Sequence, residues 1–217
     1  LVPINRTAFC FFPTKEATDL NFILHAPFLL TDSREGIKAG EEHNNELIRQ
    51  LTQLAADSLP VLRDKKLIDD GILDIIPYDE AKFSKLNDKR RISFKPFFTA
   101  IKGKLQTDIL LPTTNGEYSS RDYSYWASNE ELTKLFSNEQ LAQLTGTEKA
   151  KWIFPSRGKG AISFTNSSLA EYIDGGDARV GRKANLIILS LDLDALIRRI
   201  TASFIAAQPL EWLHKFY

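Results

Sequence analysis

The sequence predicts an α/β protein in the broad, α+β sense: a mixed sheet packed with long helices, followed by a smaller α+β unit. Three observations predict it. The aromatic run Thr7-Ala-Phe-Cys-Phe-Phe-Pro-Thr14 closes on a proline and suits a buried strand followed by a turn. Downstream, the apolar positions Leu47, Ile48, Leu51, Leu54, Ala55 and Leu59 recur at helical spacing. Beyond residue 106, short strand-like and helix-like stretches alternate. The expected division is a first unit over residues 1–105 and a second over residues 106–217.

Each element has a local reason. Residues 21–30 are too apolar, and too interrupted by Pro27, for a helix interior, so they read as a strand beside the first one. The long helix begins near Glu41 and Glu42, acids that suit a first turn, and Pro60 marks its break or kink. Residues 61–76 carry apolar pairs around Asp69-Asp70-Gly71, which predicts a short helix, a stop and a second apolar segment ending at Pro77. Residues 92–105 predict a further helix with Pro96 near its start and a mostly aromatic face of Phe94, Phe97 and Phe98.

The second unit opens with Asp108-Ile-Leu-Leu-Pro-Thr-Thr-Asn-Gly-Glu-Tyr118, which reads as strand, turn and strand because Asn115-Gly116 readily takes the positive φ angles of a tight hairpin. A helix over residues 129–144, a strand over 152–154 and a glycine-rich connection at Asp174-Gly-Gly-Asp177 follow. The last helical pattern runs from Leu193 through Leu196, Ile197 and Ile200 to Phe204, with Leu210 and Trp212 beyond Pro209.

Composition narrows the function classes. With 43% apolar residues over 217 positions the chain can build a real core. Lysine plus arginine and aspartate plus glutamate number 28 each, so the overall field offers no general attraction for nucleic acid or an anionic membrane. Lys89-Arg-Arg91 reads as a solvated helix start. Cys10, the single cysteine, sits among aromatic residues and reads as a small buried side chain. The sequence lacks a signal-peptide pattern and any apolar run approaching the roughly 20 residues that span a bilayer, so a cytoplasmic protein is expected. His25, His43 and His214 are scattered without cysteine partners, and no metal site is predicted. The absence of methionine leads us to expect a piece of a longer protein.

The candidate site lies in residues 31–40, Thr-Asp-Ser-Arg-Glu-Gly-Ile-Lys-Ala-Gly, expected to be a flexible connection between the apolar strand and the long helix. Arg34 on such a connection can move toward a ligand, and Lys38 is a second candidate contact. Phosphoryl transfer needs positive charge against developing negative charge, and arginine offers a planar fork of donors for it. The competing reading pairs Arg34 with Asp32, Glu35 or another nearby acid on a solvated loop.

Ser33-Arg34-Glu35, with the apolar strand before it and the long helix after it, resembles the middle domain of the ninety-kilodalton heat-shock chaperones, members of the GHKL ATPase superfamily. Phe9-Cys-Phe-Phe-Pro-Thr14 and Leu110-Leu-Pro-Thr-Thr-Asn-Gly-Glu-Tyr118, in that order, resemble segments downstream of the ATP-binding domain in the sacsin-like branch of that superfamily. The resemblance spans roughly the first two-thirds of the sequence. It implies that Arg34 reaches the γ-phosphate of ATP, held with Mg by a preceding N-terminal ATPase domain of the same protein, with Lys38 assisting. It also implies a client protein as a further partner.

The parts that hold the nucleotide in such ATPases, an asparagine-bearing helix for magnesium and glycine loops for adenine and phosphates, are not found in the sequence. Asp174-Gly-Gly-Asp177 reads as a turn, and Arg157-Gly-Lys-Gly160 lacks the earlier glycine and the following Ser or Thr of a Walker loop. No Gly-Xaa-Ser-Xaa-Gly elbow supports nucleophilic hydrolysis. The chain alone is therefore expected neither to bind ATP tightly nor to hydrolyse it, whereas the full-length parent is expected to be an ATPase. The alternative is a non-catalytic protein–protein interaction module, presenting an aromatic surface around Phe94, Phe97, Phe98 or Trp126.

Overall fold

The aromatic run at the start folds back on itself within a single residue. Strand β1 (Thr7–Cys10) and strand β2 (Phe12–Ala17) pair antiparallel, with Cys10 opposite Phe12 and Phe9 opposite Pro13. Phe11, between them, takes a left-handed backbone at φ 60°. Pro13 is tolerated because the residue opposite it, Phe9, turns its N–H to Leu24 and its C=O to Ala26, so no β1 carbonyl waits for the missing donor there. The fold is given by a computed structural model that describes residues 7–69, 75–77, 83, 91–153 and 189–217. The chain divides into two units, Leu1–Gln106 and Thr107–Tyr217.

In the first unit, residues 21–30 run extended but do not form the regular neighbouring strand that their sequence suggests. They meet β1 through one parallel bridge, Phe9 to His25. The reason is competition for backbone groups: Leu29 gives both its N–H and its C=O to the side chain of Asn44, and the carbonyl of Pro27 bonds the ring of His43. Helix α1 (Glu42–Asp64) supplies both side chains. It buries Asn44, Ile48, Thr52, Ala56 and Leu59, one side chain per turn.

Two expectations are corrected in α1. Pro60 does not break it: the helix continues to Asp64 with the proline inside, and the N–H that Pro60 lacks leaves only the Ala56 carbonyl without its donor one turn on. Leu54 faces solvent rather than the core. The end is closed by Lys66 in the left-handed region, with the Leu67 N–H bonded to the Leu62 carbonyl. Helix α2 (Lys95–Thr107) buries Phe97, Phe98, Ile101 and Leu105, with Ile92 and Phe94 buried just ahead of it. Phe97 meets Phe22 and Phe94 at ring separations of 6.1 and 6.4 Å.

The second unit opens with a short hairpin, β3 (Leu111–Pro112) against β4 (Tyr118–Ser119), around Gly116 at φ 79°. A 3-10 turn over Arg121–Tyr123 leads into β5 (Ser124–Ala127), buried along its whole length. β5 is the centre of a parallel three-stranded sheet between β6 (Lys151–Trp152) and β7 (Leu189–Leu191). One antiparallel bridge, Thr113 to Ile153, joins hairpin and sheet.

The predicted helix over 129–144 is two helices, α3 (Glu130–Leu135) and α4 (Asn138–Thr145). Ser137 separates them by capping α4 in a reciprocal box with Gln140, and Gly146 closes that helix at φ 71°. The pattern from Leu193 to Phe204 likewise splits into α5 (Leu193–Ile197) and α6 (Ala202–Ala206), because Thr201 accepts from the Phe204 N–H and starts a new helix. Helix α7 (Leu210–Phe216) completes the unit. Its core gathers Phe136, Leu141, Trp152, Leu196, Phe204 and Trp212.

The chain is thus α/β in the broad sense, helices packed with small sheets. Among the described residues, the expected mixed sheet is replaced by two antiparallel pairs and one parallel three-stranded sheet. Asp174-Gly-Gly-Asp177, Arg157-Gly-Lys-Gly160 and the break at Asp70-Gly71 lie outside the described residues.

Candidate functional site

Residues 29–38 form a hydrogen-bonded hairpin, not the flexible connection their composition suggests. The Lys38 N–H donates to the Leu29 carbonyl at 2.9 Å, Leu30 bridges Ile37, and the Thr31 N–H donates to the Gly36 carbonyl at 2.9 Å. At the tip, the Arg34 N–H donates to the Thr31 carbonyl at 2.8 Å. The Thr31 hydroxyl accepts from the Gly36 N–H and lies 3.2 Å from the Ser33 hydroxyl. Short polar side chains thus stand in for the bonds a longer ladder would provide.

Two buried polar side chains hold this hairpin from opposite sides. Asn44, with no exposed surface, accepts from the Leu29 N–H at 2.8 Å and donates to the carbonyls of Leu29 and Lys38 at 2.9 and 2.8 Å. From β2, Glu16 faces the Ile37 N–H at 3.4 Å, and the Lys15 N–H donates to the Glu35 carbonyl at 2.7 Å. Arg91 caps the other oxygen of Glu16 at 3.2 Å. A Cβ on Gly36 would stand 3.3 Å from Glu16 Oε2, so this close approach favours glycine.

Arg34 sits at the tip, exposed, with its backbone at φ 58°. Left-handed geometry is costly for a residue with a Cβ, and here the turn imposes it. The expected pairings with Asp32 or Glu35 do not form. Asp32 faces Lys38 at 3.7 Å and Glu35 pairs with Lys15, so Arg34 makes no ion pair among the described residues. Lys38 stands at the base of the hairpin with its charge turned to Asp32.

Beside Arg34 is a shallow cavity of about 440 Å³, lined by the β1–β2 turn and by Leu30, Thr31 and Asp32. Phe11 and Phe12 stand on its wall 77% and 79% exposed, contrary to their reading as part of a buried strand. The left-handed turn at Phe11 breaks the alternation that would have buried one of them. Cys10 is buried and its thiol donates to the Phe28 carbonyl.

Other sequence candidates fall elsewhere. Phe94, Phe97, Phe98 and Trp126 are buried and form core, so the aromatic interaction surface expected there does not exist. Arg91, read as part of a solvated basic run, is engaged with Glu16, while Lys89 lies outside the described residues. His25 accepts from the Phe11 N–H and His43 contacts the Pro27 carbonyl. Among the described residues no group of His, Cys, Asp and Glu is placed to hold a metal ion, and no helix is long and apolar enough to cross a membrane. Asn44 and Glu16 were missed by sequence reasoning. The one local signal was the alternation of Thr14, Glu16 and Thr18, whose burial follows strand period.

Compared with protein-family models, curated proteins and solved structures, the chain matches none.

Proposed function

We propose that this chain is the middle, transducer-like segment of an Hsp-type or sacsin-like ATP-dependent chaperone-like protein of the cytoplasm, supplying Arg34 to the γ-phosphate of ATP. ATP and Mg belong to an N-terminal domain of the same protein, and the chain alone neither binds nor hydrolyses nucleotide. One observation carries the reading: an exposed arginine with no ionic partner among the described residues, held at the tip of a hairpin whose other charges are paired. A guanidinium so presented keeps its donors for an external anion, and its docking would couple nucleotide state to the position of this segment. Lys38, paired to Asp32, is available to the phosphate only if that contact opens.

The test is steady-state ATP hydrolysis and nucleotide binding by the full-length parent with Arg34→Ala. Turnover falling by roughly two to three orders of magnitude with binding intact supports the reading. Unchanged turnover removes Arg34 from catalysis.

A second reading, a non-catalytic interaction module that binds a client protein, is favoured by the exposure of Phe11 and Phe12 beside the cavity. The two readings separate on nucleotide: only the first requires it for Arg34 to matter.

A further inference from the structure

We propose that Asn44 is the positioning residue for Arg34. The proposal deepens the ATPase reading and rests on it for its catalytic consequence. A hairpin tip aims a side chain only as well as its base is fixed, and a base made of two chain ends can splay. Here one amide spans both. Asn44 accepts from Leu29 and donates to Leu29 on one arm, and donates to Lys38 on the other, while Lys38 itself bonds back to Leu29. Every hydrogen-bonding site used is on the main chain, so the clamp is indifferent to the side chains of the hairpin and specific for its backbone geometry.

Asn44 lies in the first turn of α1, where orphan N–H groups leave the helix start dependent on its surroundings. Its side chain points away from its own helix and into the hairpin, so the hairpin base and the helix start share one set of bonds. Movement of α1 would therefore carry the Arg34 tip with it. Preorganisation of this kind matters to transition-state contacts, where a misplacement of about 1 Å can cost about a hundredfold in rate. Asn44 touches no nucleotide; it acts through Arg34.

The test uses Asn44→Asp, nearly isosteric but without the two donors, Asn44→Ser as a milder variant should the aspartate fail to fold, and Asn45→Ala as the exposed neighbour. Backbone amide exchange is read on the chain itself. The proposal expects Thr31 and Lys38 amides to exchange at least about tenfold faster, while Thr52 and Ala56 within α1 change less than about threefold. In the full-length parent, kcat is expected to fall toward the Arg34→Ala level with KM for ATP unchanged. The Asn44→Asp, Arg34→Ala double variant is expected to be no slower than Arg34→Ala alone.

Unchanged hairpin exchange overturns the proposal, and so does a loss of kcat that adds to that of Arg34→Ala. If Arg34→Ala leaves turnover untouched, the ATPase reading is what fails. Faster exchange confined to the hairpin then still upholds Asn44 as the residue that fixes the Arg34 tip, and uniform exchange overturns that too.

Discussion

Arg91 donates to a single oxygen of Glu16 from two nitrogens, Nη2 at 3.2 Å and Nε at 3.4 Å, across 75 residues of sequence. The carboxylate side chain is only 10% exposed, whereas the guanidinium is 43% exposed. The two partners are therefore unequal. Glu16 has been taken largely out of water and depends on its donors, while Arg91 keeps solvent on its outer side. Arg91→Ala is expected to lower the unfolding free energy by about 1–2 kcal/mol in a urea titration, less than a fully buried pair would lose. Arg91→Lys should recover only part of this, because an ammonium cannot reproduce the two-nitrogen approach.

The left-handed backbone of Arg34 gives a second expectation. Glycine at that position relieves the clash of Cβ but adds freedom to the unfolded chain. The net result expected for Arg34→Gly is a chain more stable by about 0.5 kcal/mol, measured as a shift in the denaturation midpoint at constant slope. In the full-length parent the same change should abolish whatever Arg34 contributes to turnover. Stability rising while activity falls is the signature of strain kept for a purpose.

Aromatic residues that look alike in the sequence should behave oppositely. Phe97 is fully buried in the first unit and meets Phe22 and Phe94. Phe97→Ala is expected to cost about 3–5 kcal/mol. Phe12→Ser, at a position 79% exposed, should change stability by no more than about 0.5 kcal/mol. Chemical denaturation of the two variants side by side checks both.

Acid should loosen the hairpin of the second unit locally. Glu117 is held below its ordinary carboxyl range, first by the amide of Asn115 and then by the ammonium of Lys151, at 3.0 and 3.1 Å. A carboxyl whose pKa is lowered by folding contributes stability that is present above its unfolded value and lost as pH falls through the lower folded one. A titration followed at the Glu117 carboxyl carbon should therefore show a midpoint below that of an ordinary glutamate. Asn115→Ala should raise that midpoint more than Lys151→Ala.

What was legible in the sequence was what neighbours in sequence determine. Asn115-Gly116 announced its turn, and Gly116 takes the positive φ expected of it. The aromatic run announced a strand at its start, but the turn falls at Phe11 and Pro13 lies inside β2 rather than in a turn after the strand. Ser137-Asn-Glu-Gln140 carries a capping-box signature, and this local stop divides a stretch whose periodicity alone reads as one helix. Thr201 divides the stretch after Leu193 in the same way. The construction of the hairpin that carries Arg34 was not legible. Arg34 is exposed as expected, but the rigidity of its hairpin depends on Asn44 and Glu16, whose partners lie 15 and 21 residues away. No periodicity encodes such bonds. Phe94, Phe97, Phe98 and Trp126 are buried where the sequence allows a surface, because an aromatic face looks the same whether it meets solvent or a core.

The indole N–H of Trp212 donates to the Leu135 carbonyl at 2.6 Å, and its ring stacks on Phe216 at 4.9 Å. β5, which begins at Ser124, finds one of its two neighbours only in Leu189–Leu191. During synthesis, then, the helices that follow Asn129 leave the ribosome before the pieces that cover them, and their apolar faces wait for α7. The second unit can reach its native packing only once Trp212 has emerged, and until then its apolar faces are open to chaperones and proteases.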